Sequence, residues 1–298
     1  MKRTCFTFAL FLSTFNFMEW KLARRSFEVG ARTLVMGVLN ITPDSFSDGG
    51  LFFSPHDAVA RAEEMVADGA DIIDIGGEST RPGGAPVSAD EEARRILPVI
   101  EALAEKVTAP VSVDTTKAEV ARAALDAGAE IINDISGLRF DPRLADEVAQ
   151  SRAGVVLMHS RGTLETMHRL APVADIVRDV TSALRLSIAE AERRGVRRAS
   201  IAVDPGIGFS KSAEQNIELL ARLDVLVREF AEFPVLIGTS RKRFIGELLG
   251  GAPVGGRVHG TMATVTAAVI RGAHIVRVHD VRAAVETVRI ADALKTPK

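Results

Sequence analysis

Eight times along the chain a short run rich in valine and isoleucine stops at a polar or charged residue, and a Gly/Ser/Thr-rich loop then leads into a helical pattern. Leu34-Val35-Met36-Gly37-Val38-Leu39 stops at Asn40, and Asp71-Ile72-Ile73 stops at the stretch from Asp74 to Glu78. Val111-Ser112-Val113 ends at Asp114, Ile131-Ile132 at Asn133-Asp134, and Val155-Val156-Leu157-Met158 at His159. Ile201-Ala202-Val203 ends at Asp204, Val235-Leu236-Ile237 leads to Ser240 through Lys242, and Arg277 and His279 flank the end of Ile275-Val276. Short continuous apolar runs suit parallel strands covered on both faces. Eight strand-then-helix units predict a single α/β domain, a closed (β/α)8 TIM barrel whose strand ends converge on one catalytic face.

The helix boundaries are signalled as well. Ser54-Pro55 sets a capping hydroxyl before a proline at the first helical position. Ser88 with Glu91, Thr116 with Glu119 and Ser212 with Gln215 have capping-box spacing. Gly69, Gly128 and Gly195 follow helical runs and predict stops. Ala58, Ala62, Met65 and Val66, and later Ile217, Leu220 and Leu223, recur at helical spacing and are expected to face the barrel. The segment from Trp20 to Val29 reads as a strand or hairpin arm at the barrel's bottom, and the first barrel strand as Thr33 to Leu39. Two loops, 40–53 and 76–87, are long and rich in turn formers, as lids or binding loops are. Two helical pieces are expected after the seventh strand, split by the run from Gly250 to Gly256.

Composition narrows the class. With 47% hydrophobic and 26% charged residues the chain reads as soluble and globular. A formal net charge of −2 gives no global basicity for nucleic acid, though a local cationic patch for a small anion is compatible with it. The one cysteine, Cys5, excludes an internal disulfide and a thiolate metal site, and fits a cytoplasmic location. Lys2-Arg3 and the apolar stretch to Met18 resemble a signal peptide, but no small-x-small cleavage site precedes Glu19-Trp20. That stretch is also too short and too polar to span a bilayer. Residues 1–17 are therefore expected to be a non-native or disordered extension ahead of a start at Met18, and residues 18–298 the barrel domain.

The polar stops suggest two subsites. Asp114, Asn133, Asp204 and Lys242 offer acceptors and donors suited to a flat amino-pyrimidinone heterocycle, since a carboxylate accepts two N–H bonds from such a ring. An aspartate at a strand end is often a helix cap or an internal ion-pair partner; four such residues at four strand ends favour a shared site. Arg277 and His279 lie where barrels commonly bind phosphate, with Ser79, Thr80 and Arg81 within reach from the second loop. Asn40 offers a neutral oxygen to a hard cation such as Mg²⁺. Pro205-Gly206-Ile207-Gly208-Phe209 lacks dinucleotide-binding spacing, because Lys211 stands where the third glycine would be, and reads as a close backbone approach to a bound ring. His56, His168, His259 and His274 lack zinc-ligand spacing. The basic run Arg193-Arg194-Gly195-Val196-Arg197-Arg198 reads as a solvated helix end.

The stretch from Gly37 to Gly50 (GVLNITPDSFSDGG) resembles the first signature of the dihydropteroate synthases, and that from Gly76 to Gly83 (GGESTRPG) the second. Asp204-Pro205-Gly206-Ile207-Gly208-Phe209, Ser240-Arg241-Lys242 and Arg277-Val278-His279-Asp280-Val281 are similar to further motifs of that family, and the likeness runs from about Trp20 to the C-terminus. The resemblance implies condensation of 7,8-dihydropterin-6-ylmethyl diphosphate with p-aminobenzoate in folate biosynthesis. It implies pterin binding by Asp114, Asn133, Asp204, Lys242 and Arg277, and diphosphate binding by Asn40, Thr80, Arg81, Arg277 and His279, with Mg²⁺ at Asn40. Phe46, Thr80, Arg81, Pro82, Ser240 and Lys242 match the p-aminobenzoate pocket, and Asp114, Lys242 and Arg277 the catalytic set. It further implies a homodimer inhibited by sulfonamides, with no nucleic acid or membrane partner. Met158-His159-Ser160-Arg161-Gly162 is less diagnostic, and neither Ser160 nor Arg161 receives a catalytic role. The competing functions are a pterin-barrel methyltransferase, which needs no diphosphate subsite, and a catalytically inactive pterin-binding protein.

Overall fold

The computed structural model describes residues 18–41, 55–79, 86–167 and 169–295. Phe46, Ser54, Thr80, Arg81 and Pro82 lie outside the described residues, as do residues 1–17. The chain opens with an antiparallel hairpin, β1 (Met18–Lys21) and β2 (Ser26–Val29). The barrel strands are β3 (Leu34–Asn40), β4 (Ile72–Gly76), β5 (Val111–Asp114), β6 (Ile131–Asp134), β7 (Gly154–Met158), β8 (Ile201–Asp204), β9 (Leu236–Ile237) and β10 (Ile275–Val278). They pair in parallel in the order β8-β7-β6-β5-β4-β3-β10-β9. A parallel bridge from Val203 to Val235, with the Val203 N–H donating to the Pro234 carbonyl at 2.9 Å, brings β8 to β9 and closes the ring.

The helices between strands are α1 (Pro55–Ala67), α2 (Ala89–Lys106), α3 (Ala118–Asp126), α4 (Leu144–Ser151), α5 (Ile176–Arg193), α6 (Ala213–Ala221) and α7 (Leu223–Glu229), followed by α8 (Arg243–Leu248), α9 (Val258–Ile270) and α10 (Val281–Lys295). As expected, α8 and α9 follow the seventh barrel strand as separate pieces, with a 3-10 turn at Val254–Arg257 between them.

Strand side chains alternate between faces, and that alternation builds the site. Val35, Ile73, Ile75, Val113, Ile132, Val155, Leu157, Val203, Ile237 and Val276 belong to the core shared with the helices. Leu34, Met36, Ile72, Ile131, Val156, Ala202, Leu236 and Ile275 form a separate cluster inside the barrel, with Trp20, Leu22 and Val29 of the hairpin. Two residues further along each strand, the inward series arrives at Asp74, Asn133, Asp204 and Arg277. The barrel is thus greasy below and polar above.

The hairpin arm does close the bottom. Trp20 is fully buried, and its indole N–H donates to the Ser200 carbonyl at 3.0 Å. Gly154 admits the arm: a Cβ there would stand 2.4 Å from Leu22 Cδ2.

Three local expectations need correction. Ile217 is exposed rather than facing the barrel, although Leu220 and Leu223 are buried. The buried stripe of α6 runs through Gln215, Asn216, Leu219 and Leu220, and Ile217 lies off it. Thr116 does not cap α3; the Ala118 N–H instead donates to the Asp141 carboxylate at 3.1 Å. Ser88 caps α2 by accepting the Glu91 N–H, while the Glu91 carboxylate turns to Arg94 and Arg95. Ser212 and Gln215 form the full reciprocal box. Gly69, Gly128 and Gly195 take positive φ at the helix ends, as expected.

Candidate active site

Arg277 reaches across the barrel mouth from β10. Its Nε donates to Asp74 Oδ2 at 2.5 Å and its Nη2 to Asp114 Oδ2 at 2.8 Å. Asn133 stands beside Asp114 in register and donates to the same Asp74 oxygen at 3.1 Å. Asp74 is fully buried, and its Oδ1 has no hydrogen-bond partner. Burial raises the Asp114 pKa to about 7; Arg277 opposes the rise and the Asp74 charge adds to it. Burial also works against the Arg277 charge, but Asp74 and Asp114 outweigh it and hold the guanidinium above its usual value.

The opposite rim is made by β8 and the segment after β9. Asp204 Oδ1 accepts the Gly206 N–H at 2.7 Å, and burial raises the carboxyl pKa against the pull of that bond and of Lys242. The Lys242 ammonium donates to the Ile207 carbonyl at 2.6 Å and lies 3.9 Å from the centre of the Phe209 ring. Burial pushes its pKa down to about 7, opposed first by Asp204. Lys242 also feels the charges of Arg277 and Asp114, so the two rims share one electrostatic field. Gly208 is required for this: at φ +84° it lets the lysine pass where a Cβ would stand 2.4 Å from Lys242 Cδ.

A third group borders Arg277. Ser240 Oγ accepts the His279 backbone N–H at 3.1 Å and lies 2.9 Å from His279 Nδ1. Between Ser240 and Lys242, Arg241 at φ +58° turns away and pairs with Asp280 through two bonds of 3.0 and 2.5 Å. Asn40, at the end of β3, presents Oδ1 3.4 Å from where a Cβ on Gly76 would stand, with Asp114 Cβ 3.8 Å from that same point. Among the described residues no group of three or more His, Cys, Asp or Glu side chains is placed to hold a metal ion. A single neutral amide oxygen suits a hard cation carried mainly by phosphate oxygens and water.

The structure therefore brings Asp114, Asn133, Asp204, Lys242, Arg277, His279, Ser240 and Asn40 to one rim, while Phe46, Thr80, Arg81 and Pro82 lie outside the described residues. Sequence reading did not give Asp74 a site role. The available signal was a charge enclosed by Ile73 and Ile75, on the same face as Ile72. It also missed Lys117, whose ammonium donates to Glu78 at 2.8 Å and to the fully buried Glu92 at 2.5 Å. Glu78 in turn accepts the Val87 N–H at 2.9 Å, tying together the two ends of the second long loop. The basic run after α5 is more engaged than a solvated end: Arg197 donates to the Leu22 and Arg152 carbonyls, and Arg198 pairs with Glu192 and Glu232 over the Phe233 ring.

Comparison with known proteins agrees with this geometry. The pterin binding enzyme family matches residues 36–279. The chain is 50% identical over 268 residues to a dihydropteroate synthase of Synechocystis sp., covering 90% of this chain and 92% of that protein. It resembles the FolP dihydropteroate synthase of Clostridium difficile, solved in the presence of pteroic acid, with a TM-score of 0.84 and 44% identity over 90% of this chain and 98% of that one. It also resembles the Yersinia pestis dihydropteroate synthase in a sulfonamide drug complex, with a TM-score of 0.88 and 40% identity over 94% of this chain and 100% of that one.

Proposed function

Since the chain belongs to the pterin binding enzymes and, within them, to the dihydropteroate synthases, transferases of folate biosynthesis, we propose that its barrel mouth joins 7,8-dihydropterin-6-ylmethyl diphosphate to p-aminobenzoate, releasing pyrophosphate. The observation that carries this reading is the placement of Arg277 between Asp74 and Asp114, with Asn133, Asp204 and Lys242 on the same rim. Pteroic acid, present with the C. difficile protein, joins a pterin to p-aminobenzoate and so has the skeleton of the proposed product.

In this assignment Asp204 accepts two N–H bonds from the amino-pyrimidinone edge, and Asn133, Asp114 and Lys242 meet the remaining polar atoms of the ring. Arg277 covers the ring and reaches the diphosphate, which His279 and Asn40 also contact, with Thr80 and Arg81 of the second loop. Asn40 would hold Mg²⁺ bound to the substrate's phosphates; the ion supplies neutralisation of their charge. Ser240, Lys242, Phe46, Thr80 and Pro82 frame the p-aminobenzoate, and sulfonamides compete for that place, in keeping with the drug complex of the Y. pestis protein.

The reaction is SN1-like. The bond between the pterin methylene and the diphosphate oxygen breaks, its electron pair leaving with the oxygen, while cationic groups stabilise the developing charge. The methylene cation is delocalised into the ring and faces the Asp114 carboxylate. The arylamine lone pair then forms the C–N bond, and the nitrogen loses its proton to solvent. The amine attacks in its neutral form, so no strong base is required.

The functional unit is a cytoplasmic homodimer. The exposed apolar side chains of Ile270 on α9 and of Ile290 and Leu294 on α10 offer it a face; sedimentation at monomer mass would reject this. Among the described residues no helix is long and apolar enough to cross a membrane.

A pyrophosphate-release assay tests the function. Release that depends on p-aminobenzoate and yields dihydropteroate is expected; pterin binding without turnover would leave only a binding protein.

A further inference from the structure

Behind the rim that bears Asp204 sits a second lysine. Lys211 Nζ meets three acceptors at short range: the Gly206 carbonyl at 2.8 Å, the Phe209 carbonyl at 2.9 Å and His159 Nδ1 at 2.9 Å. An ammonium has three N–H donors and no acceptor, so these partners use all of them. Burial lowers the Lys211 pKa to about 7; in the ammonium form Nδ1 is the acceptor and the ring proton lies on Nε2, which faces Asp179 of α5 at 3.2 Å. Burial, reinforced by the charges of Lys211 and Arg161, holds the His159 pKa far below its usual value and keeps the ring neutral.

The loop gripped in this way is the one that shapes the site. Gly206 lies so close to the end of β7 that a Cβ would stand 2.0 Å from the His159 carbonyl oxygen. Ser210, at φ +52°, accepts the Arg161 N–H on its hydroxyl at 2.7 Å and Arg161 Nη2 on its carbonyl at 2.5 Å. The stretch 206–210 is therefore held from behind at Gly206, Phe209 and Ser210, and from the cavity side at Ile207 by Lys242. A loop with two glycines at positive φ has little rigidity of its own.

We propose that Lys211, seated on His159, is a positioning residue for pterin recognition: it fixes the 206–209 backbone so that the Phe209 ring lies against the Lys242 ammonium and Asp204 stays aimed at the heterocycle. This rests on the reading of the barrel mouth as a pterin site. It accounts for a lysine at a position that a dinucleotide-type loop would give to glycine. It also assigns Arg161 a place, as the fastening of the loop's far end.

The test is calorimetric titration of 6-hydroxymethyl-7,8-dihydropterin into the full chain, with steady-state kinetics for both substrates. Lys211→Met is expected to weaken pterin binding per folded molecule about tenfold, while KM for p-aminobenzoate moves less than twofold. His159→Gln, which keeps an acceptor for the lysine, is expected to bind within threefold of the unaltered protein, and His159→Leu to show the tenfold loss. Unchanged pterin affinity in folded Lys211→Met overturns the proposal. If that variant does not fold, equal affinities of His159→Gln and His159→Leu overturn it. Absence of pterin binding by the unaltered protein rejects the pterin reading itself, a separate result.

Discussion

Arg277 and Asp74, 203 positions apart, meet at 2.5 Å across the mouth of the barrel. The pair joins β10 to β4 over β3, which lies between them in the sheet. The neighbouring Nη2 of the same guanidinium engages Asp114. Asp74→Ala takes one carboxylate out of a buried charge cluster: Arg277 keeps Asp114 but loses the acceptor of its Nε, and Asn133 loses its acceptor too. Because one counter-charge remains, the expected loss is near the lower end for a broken buried pair, about 3 kcal/mol of folding stability, together with weaker pterin binding. Urea denaturation checks the first and titration the second; a loss within error of zero would mean that the pair is not maintained in solution.

Asp204→Asn keeps an oxygen for the Gly206 N–H and so should preserve the loop. On the proposed assignment it removes the charge that strengthens two bonds to the ring. Hydrogen bonds to charged groups are worth about 1.5–3 kcal/mol, so dihydropterin affinity should fall roughly ten- to hundredfold with little change in melting temperature. Unaltered affinity would remove Asp204 from the site.

The pH profile follows from two groups moved toward neutrality from opposite sides. Asp114 is raised to about 7 and must be ionised to face the methylene cation. Lys242 is lowered to about 7 and must be protonated to donate. Activity should therefore decline as pH falls through the Asp114 value, and again as it rises through the Lys242 value. The result is a narrow bell in kcat/KM centred near 7, whose limbs are apparent values of the coupled set. Lys242→Ala should lower turnover throughout and leave only the alkaline decline that Lys211, also lowered to about 7, contributes. A flat kcat/KM from pH 6 to 8 would contradict the assignment.

Lys117→Met leaves Glu92 buried without its cation. Burial already raises the Glu92 pKa against the pull of Lys117. Because Lys117 keeps some exposure, the expected cost is near the lower end for a broken buried pair, about 3 kcal/mol. Adding Glu92→Leu should recover most of it. KM for p-aminobenzoate should still rise in the double variant, since Glu78 has lost its anchor to Lys117 while still holding Val87. Normal KM in a stable double variant would limit the cluster to stability alone.

The barrel and much of its rim were legible in the sequence because strand ends coincide with a change from apolar to polar at every second residue. Asn133, Asp204 and Arg277 each stand at such a change, and Asp114 ends a strand whose inward series is already polar at Ser112. Asp74 stands at one too, but nothing local says that its partner is an arginine from the last strand. Lys211 was hidden by its glycine-rich neighbours, which drew the reading toward backbone conformation and away from the cation that the backbone encloses. Ile217 misled because the buried stripe of α6 is completed by two polar residues, Gln215 and Asn216, which a reading of apolar spacing passes over. The α3 cap was misplaced because Asp141 supplies it from beyond β6, and short-range patterns cannot register a distant acceptor.

The Trp20 hairpin has a consequence for traffic through the enzyme. With the interior filled by the cluster around Met36, Ile72 and Ile131, and the indole sealing that cluster from below, the barrel is a cup rather than a tube. Both reactants arrive, and both products depart, by the same doorway.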